Sequence, residues 1–333
     1  MKAAFINETG SPEVIQYGDL PQPDSAASEV LLKVAAVAVN PIDTYIRSGM
    51  IAMELPLPFV VGCDVAGTIE AVGSDVKDLR PGQRVWGSNQ GLLGRQGTFS
   101  EYAAIDARWL YPIPDGVGDA QAAAIALVGI TAWLGLVRDA KLTAGETLFV
   151  NGGAGGVGST VVQMAKALGA RVITTAGNDE NLEACRKMGA DVAIDYHGEN
   201  LDTAIQEAAP EGIDVWWETL REPNFDRTVG LLAPRGRMVL MAGRDARPQF
   251  PVGPFYVKGC SLHGFAMFNA TPSEQQAAGR DINRWLASGE LRPRIDRLMP
   301  LSETAAAHRL QEEATIGGQG TISGKLVLAP DID

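Results

Sequence analysis

The stretch NGGAGGVGS, residues 151–159, constrains this chain most. Read from Gly153 it is G-x-G-x-x-G, with Gly153, Gly155 and Gly158 in the three glycine places. It follows ETLFVN (146–151), which reads as a strand, and opens GSTVVQMAKALG (158–169), which reads as a helix ending at Gly169. Strand, glycine turn and helix in that order are the context the motif needs. Glycines let the backbone approach a pyrophosphate closely, and the helix N-terminus offers free N–H groups and a positive dipole end. The pattern predicts a βαβ unit that binds a dinucleotide.

The alternation continues beyond the loop. ARVITTAG (170–177), DVAIDY (191–196), GIDVWWET (212–219), GRMVLMAG (236–243) and GCSLHGFA (259–266) read as strands. ENLEACRKMG (180–189) and the stretch 273–288 read as helices. Apolar strands of this length alternating with helical patterns predict a doubly wound parallel sheet. The paired Trp216 and Trp217 are expected in its core. Before residue 120 the texture differs: EVLLKVAAVAVN (29–40), VAGTIEAVG (65–73) and PGQRVWG (81–87) are β-like runs broken by Gly and Pro. They predict an irregular antiparallel barrel or sandwich. The tail SGKLVLAP (323–330) returns to β texture and is free to rejoin that first domain.

Bulk properties remove several classes of function. A net charge of −12 gains nothing from counterion release, so nucleic acid is not an expected partner. Cys63, Cys185 and Cys260 form no paired framework, which fits a reducing compartment. The opening MKAAFINETGSPEV has no long apolar stretch, so no secretory signal is expected, and the cytoplasm is the expected location. The most apolar window, 120–137, is rich in Ala and Gly and bounded by Arg138 and Asp139. It reads as a buried core helix rather than a membrane span, and no membrane partner is expected.

The end of the second parallel strand bears on which nicotinamide binds. An NAD site usually carries an acid there for the ribose hydroxyls, whereas this chain has Ala176. Without that carboxylate a 2′-phosphate meets less repulsion, and the Ala176-Gly177-Asn178 turn leaves it room. Asp179 and Glu180 follow at once, and the nearest cations in sequence are Arg186 and Lys187. NADPH is the expected cofactor, with NADH left open.

Four segments together resemble the medium-chain dehydrogenase/reductase superfamily, and within it the quinone oxidoreductase (zeta-crystallin-like) branch. They are VNPIDTYIRSG (39–49), GCDVAGTIEAVG (62–73) with PGQRVWG, GGAGGVGSTVVQMAKALGARVITTAG (152–177) and GADVAIDY (189–196). The resemblance covers essentially the whole chain. It implies an α/β protein with a GroES-like β-barrel catalytic domain over 1–122, completed by 300–333. A Rossmann doubly wound parallel-sheet cofactor domain is implied over 123–299, with the cofactor in the cleft and a homodimeric assembly. For the cofactor it implies Thr131, Gly155, Gly156, Val157 and Gly158, then Gly177, Asn178 and Tyr196. It further implies Ala242, Gly243, Phe265, Met267 and Lys325. Two departures are visible: Asn181 stands where relatives often carry a phosphate-binding lysine, and Glu218 where they often show Asp.

Where the zinc enzymes of the superfamily place ligands, this chain looks like Asn40, Cys63-Asp64 and Leu127. A catalytic zinc needs three protein ligands, usually His, Cys or carboxylate, so no metal is expected. His197, His263 and His308 have no ligand-type spacing. Without a Lewis acid or evident base, simple alcohols are unexpected substrates. A quinone or an activated α,β-unsaturated carbonyl already accepts hydride once it is held against the nicotinamide. By resemblance Asn40, Asp43 and Tyr45 are the catalytic candidates. Asn40 would donate to the carbonyl oxygen, Tyr45 would stack on the substrate or donate a proton, and Asp43 would orient either. The plain alternatives are a turn at Asn40-Pro41, a helix cap at Asp43 and a half-buried aromatic at Tyr45. Arg47 reads as a surface or interface cation. An enoyl-thioester or haloacrylate-type reductase and a non-catalytic NADPH-binding protein remain as other readings.

Overall fold

Period-two burial organises the first third of the chain. In the strand Glu29–Ala38, alternate residues Val30, Leu32, Val34 and Ala36 are buried, as a strand packed on one face requires. The computed structural model describes residues 1–317 and 322–332. It divides into two compact units: Met1–Ile130 with Thr271–Ser288 and Pro293–Asp333, and Thr131–Ala270 with Gly289–Arg292. Within the expected completion at 300–333, residues 318–321 and 333 lie outside the described residues.

In the first unit, Glu29–Ala38 pairs antiparallel with Val65–Val72 and with Tyr102–Asp106. Its far end pairs antiparallel with Lys325–Ala329, in the register Val327 to Ala38. The tail strand therefore rejoins the N-terminal sheet, which has seven strands among the described residues. All five residues of Lys325–Ala329 are buried, because Ile295–Pro300 pairs along its other edge. A second sheet of three strands is built on Lys2–Ile6. The helix Pro272–Ser288, which the sequence boundaries set within 123–299, belongs to this unit. The Trp86 indole donates to Asn283 at 2.8 Å, and Gly279 lies directly on the Tyr111 ring.

The second unit is a parallel sheet of six strands among the described residues. Their order is Val192–Asp195, Arg171–Ala176, Thr147–Val150, Ile213–Glu218, Leu232–Leu240, Ser261–Gly264. The first strand in sequence, Thr147–Val150, is central, with its successors added on either side. The strand order thus reverses at its carboxyl end, where open α/β sheets bind ligands. Trp216 packs on Phe149 at 4.1 Å between ring centres, and both tryptophans are fully buried. The apolar segment Asp119–Asp139 is long and apolar enough to cross a membrane, yet 78% of its most apolar window is buried inside the fold. Gly135 in its last turns has no space for a side chain: a Cβ there would lie 2.3 Å from the Trp217 ring.

One residue of the first unit departs from expectation. Arg47 is completely buried rather than at a surface. Its guanidinium donates to the Gly10 carbonyl and pairs with Glu312, so a long-range contact removes it from solvent. Beside it His308, in the helix Thr304–Thr315, is also completely buried, and neither ring nitrogen has a hydrogen-bond partner. Burial pushes its pKa down to about 3, and the Arg47 charge adds to the effect. An unpaired buried polar group costs about 1–3 kcal/mol. His308→Leu is therefore expected to raise stability by roughly 1 kcal/mol at neutral pH, as read from the urea midpoint. The gain is expected to grow as pH falls below 6.5, because the unfolded imidazole takes up a proton that the folded one refuses. A lower midpoint for the variant would show that the ring has a partner in solution.

Candidate functional site

The helix Pro41–Ser48 begins with Asn40 in extended conformation and Pro41 in the first turn, where its missing N–H costs nothing. Asp43 Oδ2 accepts from the Asn40 backbone N–H at 2.8 Å and so caps the helix. This start lies beside the tail strand, which is how residue 325 reaches residue 40. Lys325 Nζ donates to the Val39 carbonyl at 2.7 Å and to Asn40 Oδ1. The Asn40 amide in turn donates to Asp64 Oδ2 at 2.7 Å and to the Ala38 carbonyl at 3.1 Å. Cys63 lies against Asp43, and all five side chains are essentially removed from solvent. Tyr45, the third catalytic candidate, is half-buried on the same helix.

Burial dominates the electrostatics of this cluster. It pushes the Asp43 carboxyl up to about 7, reinforced by the Asp64 charge and opposed by Cys63, the Asn40 N–H and Lys325. It pushes Asp64 up to about 6, against the pull of Lys325 and of its hydrogen bonds. The Cys63 thiol is held well above its ordinary range by burial and the neighbouring carboxylates. Lys325 is lowered by burial, while Asp64, Asp43 and Cys63 draw it back up. A carboxyl whose folded pKa lies above its unfolded value of 3.8 stabilises the fold at low pH. That contribution is lost as pH rises towards 7, by up to about 1.4 kcal/mol per pH unit. Asp43→Asn keeps an oxygen for the Asn40 N–H and removes the titration. Its stability relative to the parent is expected to climb from pH 5 to 7 and level off above. Parallel urea-midpoint profiles for parent and variant would refute the assignment.

In the second unit, Gly155 is the N-cap of the helix Gly156–Ala167 and brings no side chain to the first-turn N–H groups. Gly156, Val157 and Gly158 form that turn. Gly158 packs so tightly that a Cβ would lie 2.1 Å from the Gly152 carbonyl oxygen, whereas at Gly155 the nearest atom is 3.5 Å away. A closely packed glycine below and an open one above make a cradle that fits a dinucleotide pyrophosphate. Gly177 follows the next strand, with the Tyr196 hydroxyl 2.3 Å from where its Cβ would stand. Tyr196 itself is exposed and packs tilted against His197, with ring centres 4.4 Å apart. The Asn178 carboxamide accepts from the Asn181 N–H at 2.8 Å and caps the next helix, with Asp179 and Glu180 in its first turn.

Of the remaining cofactor candidates, Ala242 and Gly243 follow the strand Leu232–Leu240, and Gly243 has a left-handed φ of 80°. The Arg138 guanidinium lies 5.4 Å over the Phe265 ring. Thr131 and Met267 are buried. Lys325 is spatially among the catalytic candidates of the first unit, its ammonium turned into their cluster. Sequence reasoning set Asn40 and Cys63-Asp64 together at the ligand places of the zinc enzymes, but missed Lys325 as a member of that group. The only local signal was polar residues inside otherwise apolar strand ends. It also missed what Glu218 does: its carboxylate accepts from Asn151, at the mouth of the glycine loop, at 2.8 Å.

Two family models match the chain. "Alcohol dehydrogenase GroES-like domain" matches residues 26–115, and "Zinc-binding dehydrogenase" matches 156–283. The quinone oxidoreductase of Sus scrofa is 34% identical over 98% of this chain and 97% of its own length. The chloroplastic NADPH-dependent alkenal/one oxidoreductase of Arabidopsis thaliana is 37% identical over 75% of this chain and 64% of its own length. The structure of the Escherichia coli quinone oxidoreductase complexed with NADPH superposes with a TM-score of 0.86 at 28% identity, covering 99% of this chain and 100% of that one.

The second family description implies zinc, and the residues present do not fit it. The matched residues, 156–283, do not include Asn40, Cys63, Asp64 or Leu127. An amide and an aliphatic side chain stand at two ligand places, the Cys63 thiol is held protonated, and the Lys325 ammonium already lies on Asn40. Asp43, Cys63 and Asp64 lie together, but among the described residues no group of three His, Cys, Asp or Glu side chains is arranged so that it could hold a metal. The nucleotide cradle, by contrast, fits the nicotinamide cofactor of the relatives. With both domain families matched and full-length relatives above 30% identity, the chain belongs to the quinone oxidoreductase branch of the medium-chain dehydrogenase/reductase superfamily, a family of oxidoreductases.

Proposed function

We propose that this protein is an NADPH-dependent, zinc-independent reductase of quinones or activated α,β-unsaturated carbonyls. The observation that carries the reading is the uncapped helix N-terminus at Gly156, placed at the carboxyl edge of the central parallel strand. The relatives named above, one a quinone oxidoreductase and one an alkenal/one oxidoreductase, support both halves of the substrate class. When bound, the nicotinamide supplies the hydride. The glycine loop, Gly177, Asn178 and Tyr196 hold the nucleotide, and Gly243 and Phe265 bound the ligand-binding edge of the sheet.

On the substrate side Tyr45 is the group that stacks on a flat acceptor or returns a proton to the product oxygen. Asn40 reaches that oxygen only by exchanging its longer bond, the one to Ala38 at 3.1 Å. Asp43 and Lys325 fix Asn40 from either side. NADPH over NADH rests on Ala176 in place of an acid, against the absence of a lysine at 181. A homodimer is supported by the edge strand Ser261–Gly264 with exposed Leu262, and by the neighbouring helix Val252–Val257 with exposed Val252, Tyr256 and Val257. A cytoplasmic location is supported by Cys63, Cys185 and Cys260, which form no disulfide with one another.

The test is loss of reduced-nicotinamide absorbance with benzoquinone, phenanthrenequinone and cyclohexenone, using NADPH and NADH, with and without chelator. Chelator-insensitive turnover, faster with NADPH, is expected. Tight cofactor binding with no turnover on any acceptor would overturn the reading.

A further inference from the structure

Glu218 is the last residue of the strand Ile213–Glu218, and its carboxylate is buried in the unit that carries the glycine loop. Three N–H donors converge on it. Asn151 Nδ2 and the Leu220 backbone N–H both reach Oε1 at 2.8 Å, and the Trp216 indole reaches Oε2 at 3.1 Å. Asn151 is the first residue of the loop, held on its other sides as well. Its N–H donates to the Trp217 carbonyl at 3.2 Å, and its carbonyl accepts from Thr219 Oγ1 at 2.9 Å. The next N–H, of Gly152, donates to Thr175 Oγ1 at 3.0 Å.

A buried negative charge at the mouth of an anion-binding loop works against a pyrophosphate. Its chemistry explains its presence: only a carboxylate accepts at both ends, and donors occupy both ends. A glutamine in the same place must turn its NH2 towards Trp216, or towards Asn151 and Leu220 together. Either way a buried donor faces a donor.

We propose that Glu218 is a positioning residue for the cofactor: it fixes Asn151 and so sets the path of the loop that receives the pyrophosphate. This rests on the reading of the loop as a dinucleotide site. Positioning and plain electrostatics give opposite signs for Glu218→Gln. Removing a repulsive charge tightens binding, and misplacing the loop weakens it.

The experiment is fluorescence titration of parent and variants with NADPH and NADH, alongside thermal melts and steady-state kinetics. Glu218→Gln is expected to raise the Kd about tenfold or more and to raise KM for the nucleotide, with kcat at saturation within about threefold of the parent. The double variant Trp216→Phe/Glu218→Gln removes the surplus donor and is expected to return to within about threefold of Trp216→Phe alone. Equal or tighter binding by Glu218→Gln, or a double variant as weak as the single, would overturn the positioning role. A loss of kcat in step with the melting temperature would mark a general structural role and overturn it too. A parent that binds neither nucleotide would instead remove the reading of the loop itself.

Discussion

Lys325→Met is expected to lower stability by about 3–5 kcal/mol at pH 8, the usual cost of stripping one partner from a buried charge group. The lysine is the cation facing Asp43, Asp64 and Cys63, and its ammonium also satisfies the Val39 carbonyl and Asn40 Oδ1. Methionine fills similar space and does neither. The two carboxyls then lose the charge that holds them down, so both take up protons more readily. The cost is consequently expected to shrink as pH falls from 8 to 5, because protonated carboxyls need no counter-charge. Urea unfolding of parent and variant at the two pH values measures this. A variant as stable as the parent at pH 8 would mean that the carboxyls are neutral there and the cluster is uncharged.

The second large effect is expected at Gly158. Its added Cβ in Gly158→Ala would stand 2.1 Å from the Gly152 oxygen and 3.1 Å from the Gly153 Cα. Both are backbone atoms that cannot swing aside, so the helix start must move off the loop. Overpacking of this kind costs about 1–3 kcal/mol. Nucleotide affinity is expected to fall by roughly a hundredfold or more, because the cradle is the part displaced. Gly155→Ala separates the two consequences. Gly155 has an ordinary φ of −73° and an open surrounding, so its methyl leaves folding intact. That methyl projects where the pyrophosphate would lie, and affinity is expected to fall while the melting temperature holds. Nucleotide titrations and thermal melts of both variants read this directly. Undiminished affinity in Gly155→Ala would move the pyrophosphate elsewhere.

The parallel sheet was legible because its signals are local. Runs such as TLFV and RVITTA, each closed by a glycine turn, appear as Thr147–Val150 and Arg171–Ala176. The helices Leu201–Ala208, Phe225–Leu231 and Val252–Val257 were not legible. Eight residues or fewer, little more than two turns, give too little periodicity to separate from a loop. The cap at Asp43 was readable from Asn-Pro-x-Asp, whereas the burial of Arg47 was not, since its partner Glu312 is 265 residues away.

What the amino-acid sequence determined by itself was therefore the class of fold, the glycine loop between strand and helix and the family, each written in short segments whose residues are also neighbours in space. The tertiary structure alone decided the chemistry around Asn40. It brought Lys325 across 285 residues of chain to that amide and closed Asp43, Cys63 and Asp64 around it. It likewise set Glu218 under Asn151, 67 residues apart. Charges buried together alter one another's protonation through distance and desolvation, and neither quantity exists until strands far apart in sequence have paired.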